Sequence, residues 1–192
     1  MIRAPVAAPL RIDSLAVPGS SARLGITCCP GTHRASAAGG ARAHDLEADL
    51  ARIAAWGSAL LLTLMEQHEL ARHGVPDLGA RARRSMTWCW LPIVDRQAPD
   101  AAFEAAWPQA IEEVQRRLDA GDNVVLHCLG GLGRSGMIAA RILVERGLAP
   151  AAAMAVVRAA RPGAIETAQQ EAYVLGLRRA TAAAVLPGRK PQ

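Results

Sequence analysis

The sequence predicts an α/β domain with a mainly parallel central sheet flanked by helices. Two observations carry this. Short apolar runs alternate with longer stretches of helical periodicity, the pattern of parallel strands joined by helical crossovers. The chain has 192 residues, 51% of them apolar and only 3% aromatic, enough for one aliphatic core. Residues 23–183 are expected to form the domain, preceded by a partly extended segment at 1–22 and followed by a tail at 184–192.

Each element has its own signal. Residues 1–24 are rich in Pro, Ala and Ser, with an edge strand expected around 10–17. "ARAHDLEADLARIAAWG" (41–57) places Leu46, Leu50, Ile53 and Ala54 at helical spacing and stops at Gly57. "ALLLTLM" (59–65) reads as a buried strand. "EQHELARHGVPDL" follows as a short helix ended by Gly74 and Pro76. "SMTWCWLPIVD" (85–95) is a second strand, with Pro92 marking its exit into a loop. The next helix spans 100–121, with Asp100 as N-cap, Gly121 at its end and Pro108 as a bend or division near its start. "NVVLHC" (123–128) is a third strand, and "SGMIAARILVERG" (135–147) a helix with Ile138, Ile142 and Leu143 on one face. Helices at about 150–160 and 167–182 complete the domain.

Composition excludes several classes. A net charge of +5 admits anionic partners. However, the arginines cluster only at Arg81, Arg83, Arg84 and at Arg178, Arg179, without a nucleic-acid motif or a stacking aromatic stripe. They read as a solvated surface rather than a nucleic-acid site. Cys28, Cys29, Cys89 and Cys128 form no CxxC pair and no His/Cys cluster of zinc-site form, so no metal or other cofactor is expected. A disulfide scaffold does not suit this size, and a reducing cytoplasm is the expected compartment. Pro5, Pro9, Arg11 and Asp13 interrupt any secretory segment, and "SALLLTLM" (58–65) is too short to span a bilayer, so no membrane partner is expected.

Two cysteines have an arginine six positions on, so context must decide between them. In "VVLHCLGGLGRSG" (124–136) a strand delivers Cys128 and a helix follows. Between them Gly130, Gly131 and Gly133, with Leu129 and Leu132, allow a tight turn whose N–H groups all face inward. Such a nest at a helix N-terminus binds a phosphate group, and the same field stabilises a thiolate. Arg134 adds a planar fork suited to two phosphate oxygens, and Ser135 can cap the helix and donate to the sulfur. In "CCPGTHR" (28–34) Pro30 removes an amide donor, and Gly39 and Gly40 delay any helix. A thiolate that displaces an alkoxide needs a general acid, for which "LPIVDRQAPD" (91–100) offers Asp95, with Asp100 as the alternative.

These residues resemble the HCX5RS signature of the cysteine-dependent tyrosine and dual-specificity phosphatases, here His127-Cys128 through Arg134-Ser135. Further stretches, "RLGITCCPG", "PIVDRQAPD", "HCLGGLGRSG" and "RPGAIETAQQEAYV", are similar in order to the kinase-associated phosphatase group over roughly 23–175. The resemblance implies the tyrosine/dual-specificity fold and hydrolysis of phosphoprotein or phosphopeptide monoesters through a phosphocysteine. It implies Cys128 as nucleophile, Arg134 as clamp, Asp95 as acid, and Ser135 as an aid to thiolate departure. His127 would act through the loop backbone rather than as a base.

Cys28 is the rival nucleophile, since low-molecular-weight phosphatases carry their motif near the N-terminus. Where these enzymes often carry a water-positioning glutamine, this chain has Glu166, so Glu166 is expected to pair with an arginine such as Arg134. Gln169 or Gln170 would then serve the water. The loop interior lacks lysine, which disfavours phosphoinositides. The alternatives are a phospho-binding module without turnover and a rhodanese-type sulfurtransferase.

Overall fold

A computed structural model of the protein describes residues 9–35, 41–43 and 45–177. The expected tail at 184–192 lies outside the described residues, as do Arg178, Arg179 and the rest of the last helix up to 182.

The chain begins with β1 (Asp13–Ala16) and β2 (Arg23–Thr27), then a hairpin of β3 (His33–Ala35) and β4 (Ala41–Ala43). There follow α1 (Leu46–Ala55), β5 (Ser58–Thr63), α2 (Gln67–Arg72), α3 (Leu78–Ala82) and β6 (Thr87–Trp90). The last elements are α4 (Ala101–Asp119), β7 (Asn123–His127), α5 (Gly133–Glu145), α6 (Pro150–Ala160) and α7 (Ala168–Leu175). The main sheet has the order β1-β2-β7-β5-β6. β2, β7, β5 and β6 are parallel, and β1 joins β2 antiparallel, so the sheet is mainly parallel as expected.

Strand alternation divides the core between the two faces of the sheet. Leu60, Leu62, Val124 and Leu126 join Val114, Ile138 and Ile142 in one cluster. Leu61 and Val125 point the other way, to Leu50, Ile53, Leu70 and Leu78. Each of these leucines contributes about 1.5–3 kcal/mol on full burial. At the carboxyl ends of the strands, Thr27, His127 and Thr63 are register partners across β2, β7 and β5. That row lies where parallel sheets present their ligand crevice.

The structure departs from the sequence reading at several points. The edge strand expected around 10–17 does form, as β1, but it is part of the main sheet, with Leu10 and Leu15 buried. A boundary after residue 22 therefore falls between two hydrogen-bonded strands. β2 carries no strong strand signal because Gly25 interrupts it. A Cβ there would stand 2.8 Å from Ile12 and 2.9 Å from Val125, so glycine permits the close packing. Helix α1 starts at Leu46 rather than 41, because Asp45 accepts from the Ala48 N–H and caps it there. Pro108 does not divide α4, which runs unbroken from Ala101 to Asp119. Helix α5 begins at Gly133 rather than Ser135, with the Leu132 carbonyl accepting from the Gly136 N–H. Ser135 thus lies inside the first turn and is not the cap.

Candidate active site

The loop between β7 and α5 is shaped by where its carbonyls go. The Cys128 carbonyl meets His127 Nδ1 at 3.4 Å, and Leu129 O accepts from the Cys29 N–H at 3.1 Å. The Gly130 and Gly131 carbonyls accept from Arg161 NH2 and Nε at 2.8 and 2.6 Å. Leu132 O accepts from Gly136 and, at 3.3 Å, from Ile165. In a planar trans peptide the C=O of one residue and the N–H of the next point in opposite directions. Tying the carbonyls of Cys128 to Leu132 outward therefore aims the amides of Leu129 to Gly133 toward the concave side. Glycine is required at 131, where φ is +68° and a Cβ would stand 2.4 Å from the Thr27 carbonyl oxygen. The result is a nest of donors at the start of a 13-residue helix, suited to an anion.

Cys128 lies at the base of this nest, buried, with Sγ 3.4 Å from Ser135 Oγ. Because Ser135 does not cap the helix, its hydroxyl is left for the sulfur. His127 is fully buried, and burial pushes its imidazole down to about 4, so it is neutral near pH 7. The Cys128 carbonyl can only accept, which places the ring proton on Nδ1. Nε2 then accepts from the Thr63 hydroxyl at 2.7 Å, and Thr63 Oγ1 accepts from Trp88 Nε1 at 2.8 Å.

This neutral histidine has a consequence for stability. The unfolded chain gains a proton as pH falls through 6.5, while the folded chain resists until about 4. Stability is therefore retained above 6.5 and lost toward 4, by about 3 kcal/mol in total. Denaturant titrations across this window should show the loss, and His127→Asn should flatten it.

Arg134 is buried, with its side chain 1% exposed, and it is held by a residue that the sequence did not single out. Glu69, in α2, accepts from NH1 at 2.6 Å and NH2 at 2.9 Å, while Ile93 O accepts from NH1 at 3.0 Å. Burial opposes ionisation of Glu69, but the bonds from Arg134 and from the Glu66 N–H outweigh it and hold its carboxyl below the ordinary range. The pairing likewise raises Arg134 against the effect of burial. Glu69 occupies the NH1/NH2 edge of the guanidinium. The Nε/NH2 edge remains, and Nε has no hydrogen-bond partner among the described residues. Asp95 Oδ1 stands 2.9 Å from NH2, on a side chain 57% exposed. A tetrahedral anion with two oxygens on that edge would take the position that Asp95 now approaches.

The other candidates separate clearly. Asp100 accepts from the Phe103 N–H at 2.8 Å as the N-cap of α4. Glu166 does not pair with Arg134, whose counter-charge is Glu69. Its carboxylate lies at the mouth of the loop, where a Cβ on Gly133 would stand 2.6 Å from Oε2. Gln170 is buried beside the same glycine, accepts from the Glu166 N–H at 3.0 Å and donates to Gln97 O at 3.4 Å. Gln169 is exposed on the outside of α7 and is not brought to the loop. Thr167 donates to Arg96 O, and Arg96 itself has φ +63°, so the Asp95 loop is strained and tied to the start of α7. Around Cys28, Pro30 has no N–H and the Gly31 N–H is engaged by Asp49 at 2.9 Å, leaving no comparable nest. Among the described residues no group of three His, Cys, Asp or Glu side chains could hold a metal ion.

A strand-loop-helix nest around a buried thiol, with a carboxylate-anchored arginine at the carboxyl edge of a parallel sheet, defines the cysteine-dependent phosphatase class. A family model described as "Swiss Army Knife protein, DSP-PTPase phosphatase domain" matches residues 37–174, and the chain belongs to that family. Its fold is similar to that of a kinase associated phosphatase whose catalytic-site cysteine is replaced by serine. The TM-score is 0.77 at 25% identity, covering 88% of this chain and 94% of that one. Tk-PTP in its active form is similar with a TM-score of 0.60 at 26% identity, over 85% and 93% of the two chains. The "Probable protein tyrosine phosphatase type IVA A" of Dictyostelium discoideum is 30% identical over 79 residues, 41% of this chain. That match spans about half of the relative's length, 47%.

Proposed function

We propose that the chain hydrolyses phosphomonoesters of proteins or peptides through a phosphocysteine. The observation that carries this reading is the outward tethering of every carbonyl from Cys128 to Leu132, which leaves the amides and the Nε/NH2 edge of Arg134 to one tetrahedral anion. The Cys128 thiolate attacks phosphorus as the P–O bond breaks, and protonated Asp95 gives its proton to the leaving oxygen. Water then attacks phosphorus, Asp95 takes its proton, and the S–P bond breaks with the Ser135 hydroxyl supporting the departing sulfur. Gln170, beside Gly133 at the mouth of the loop, would hold that water. The nest and Arg134 stabilise the developing charge, so the chemistry asks for no metal. The free thiols suit a reducing, cytoplasmic compartment.

The test is hydrolysis of p-nitrophenyl phosphate, inhibited by orthovanadate and indifferent to chelator. Phosphate binding without turnover would replace this reading with a phospho-binding module, and turnover of thiosulfate instead would make it a sulfurtransferase. Asp95→Ala should lower kcat about 10²–10⁴-fold with KM little changed, and more for substrates with more basic leaving groups. Asp100→Ala should instead cost about 1 kcal/mol of stability as a lost cap, with kcat nearly intact. The reverse pattern would transfer the acid role to Asp100.

A further inference from the structure

Arg161 opens the stretch "RPGAIETAQQEAYV", where its residue type alone assigns it no role at the site. It precedes the turn into α7, with its side chain 14% exposed. Its Nε and NH2, one edge of the guanidinium, bond the consecutive carbonyls of Gly131 and Gly130. Its remaining nitrogen, NH1, donates to Asp13 Oδ2 at 2.5 Å. Asp13 is in β1, 148 residues away, with its side chain 9% exposed, and its other oxygen accepts from Arg11 Nε at 2.6 Å. All three guanidinium nitrogens are therefore engaged, and the fork can bridge two carbonyls only while both oxygens face it. Asp13 also precedes residue 37, where the match to the family model begins.

We propose that Asp13 and Arg161 are a positioning pair for the phosphate cradle, which makes the N-terminal edge strand a working part of the site. This rests on the phosphatase reading above. Arg161 touches neither substrate nor thiol. It acts by fixing the two peptide planes whose far sides present the Gly131 and Leu132 amides, and its charge polarises those peptides toward stronger donation. Asp13 holds the arginine in that pose and stops it from turning toward the bound anion.

The experiment compares Arg161→Ala, Arg161→Lys, Asp13→Asn and the double variant Asp13→Asn/Arg161→Ala with the wild type. The readouts are kcat and KM on p-nitrophenyl phosphate, orthovanadate affinity by titration calorimetry, and thermal midpoint. Arg161→Ala should lower kcat/KM about 100-fold, the cost of misplaced binding groups, and weaken orthovanadate in step. Arg161→Lys, a point charge that spans one carbonyl, should recover only part of this. Asp13→Asn should weaken orthovanadate several-fold alone and add nothing on the Arg161→Ala background, because the carboxylate acts through the arginine.

If Arg161→Ala fails to fold, Arg161→Lys and Asp13→Asn give the same comparison. Folded variants with wild-type orthovanadate affinity and kcat/KM, whatever their melting temperature, overturn the pair. A wild type that binds orthovanadate without turnover would sink the phosphatase reading alone. The pair would then stand or fall by the affinities of the variants.

Discussion

Cys128→Ser is expected to lower p-nitrophenyl phosphate turnover by about 10⁴–10⁶-fold, the scale of removing a nucleophile from an intact site. Cys28→Ser should leave it within about threefold, since substitutions away from the working groups have small effects. A serine at 128 keeps the volume and the nest, so orthovanadate should still bind. What it lacks is an ionised nucleophile, and no neighbour can generate one. The two ring nitrogens of His127 are taken by Thr63 and by the Cys128 carbonyl, and the imidazole is neutral with no free edge for a hydroxyl proton. Burial pushes the Cys28 thiol up, and Cys29 further still, so neither supplies a ready thiolate near neutral pH. Wild-type rates in Cys128→Ser would remove the mechanism.

Arg134→Lys should produce the second large loss, about 10²–10³-fold in kcat/KM, as for removal of a transition-state donor. The charge survives, but the geometry does not. The guanidinium bonds Glu69 through one edge and Ile93 O through NH1, and still keeps Nε and the NH2 side for phosphate. An ammonium ion at the end of a flexible stem cannot do both. Drawn to Glu69 it leaves the nest short of its clamp, and drawn to phosphate it strands a buried carboxylate. The variant should therefore also lose about 1.5–3 kcal/mol of stability, the value of hydrogen bonds to charged groups, measurable in urea. Glu69→Gln, which keeps the shape without the charge, should lower activity while leaving Arg134 in place. An Arg134→Lys enzyme with full kcat/KM would show that the fork has no special role.

Much of the nest was legible because its signal is local. Strand, thiol, glycines, arginine and helix lie within 124–136, and each glycine or apolar run has a direct conformational reading. The position of Asp95 beside Arg134 was legible for a similar reason, at a strand exit marked by Pro92, whereas Asp100 precedes helical periodicity and caps it. The partner of Arg134 was not legible. A buried guanidinium demands a carboxylate, but Glu69 is 65 residues away in "EQHELAR", which reads only as a short helix. Glu166 was the nearer acid in sequence and does not meet the arginine. The edge strand at Asp13–Ala16 was visible only as a weak pattern, and nothing in its residues announces a bond to position 161. Short strands buried by neighbours, and charges paired across the fold, are decided by tertiary contact and not by local preference.

The bond between Asp13 and Arg161 also bears on how the site comes into being. Its ends are separated by 148 residues, so it cannot close until the turn before α7 has met the first strand. Cys128, Arg134 and the glycines are all synthesised earlier, yet until then the Gly130 and Gly131 carbonyls lack the arginine that ties them. A nascent chain halted before residue 161 would carry the whole signature without the guanidinium that ties two of the cradle's carbonyls. That part of the cradle is then a property of the finished topology, completed late in biosynthesis, as contacts of long sequence separation are.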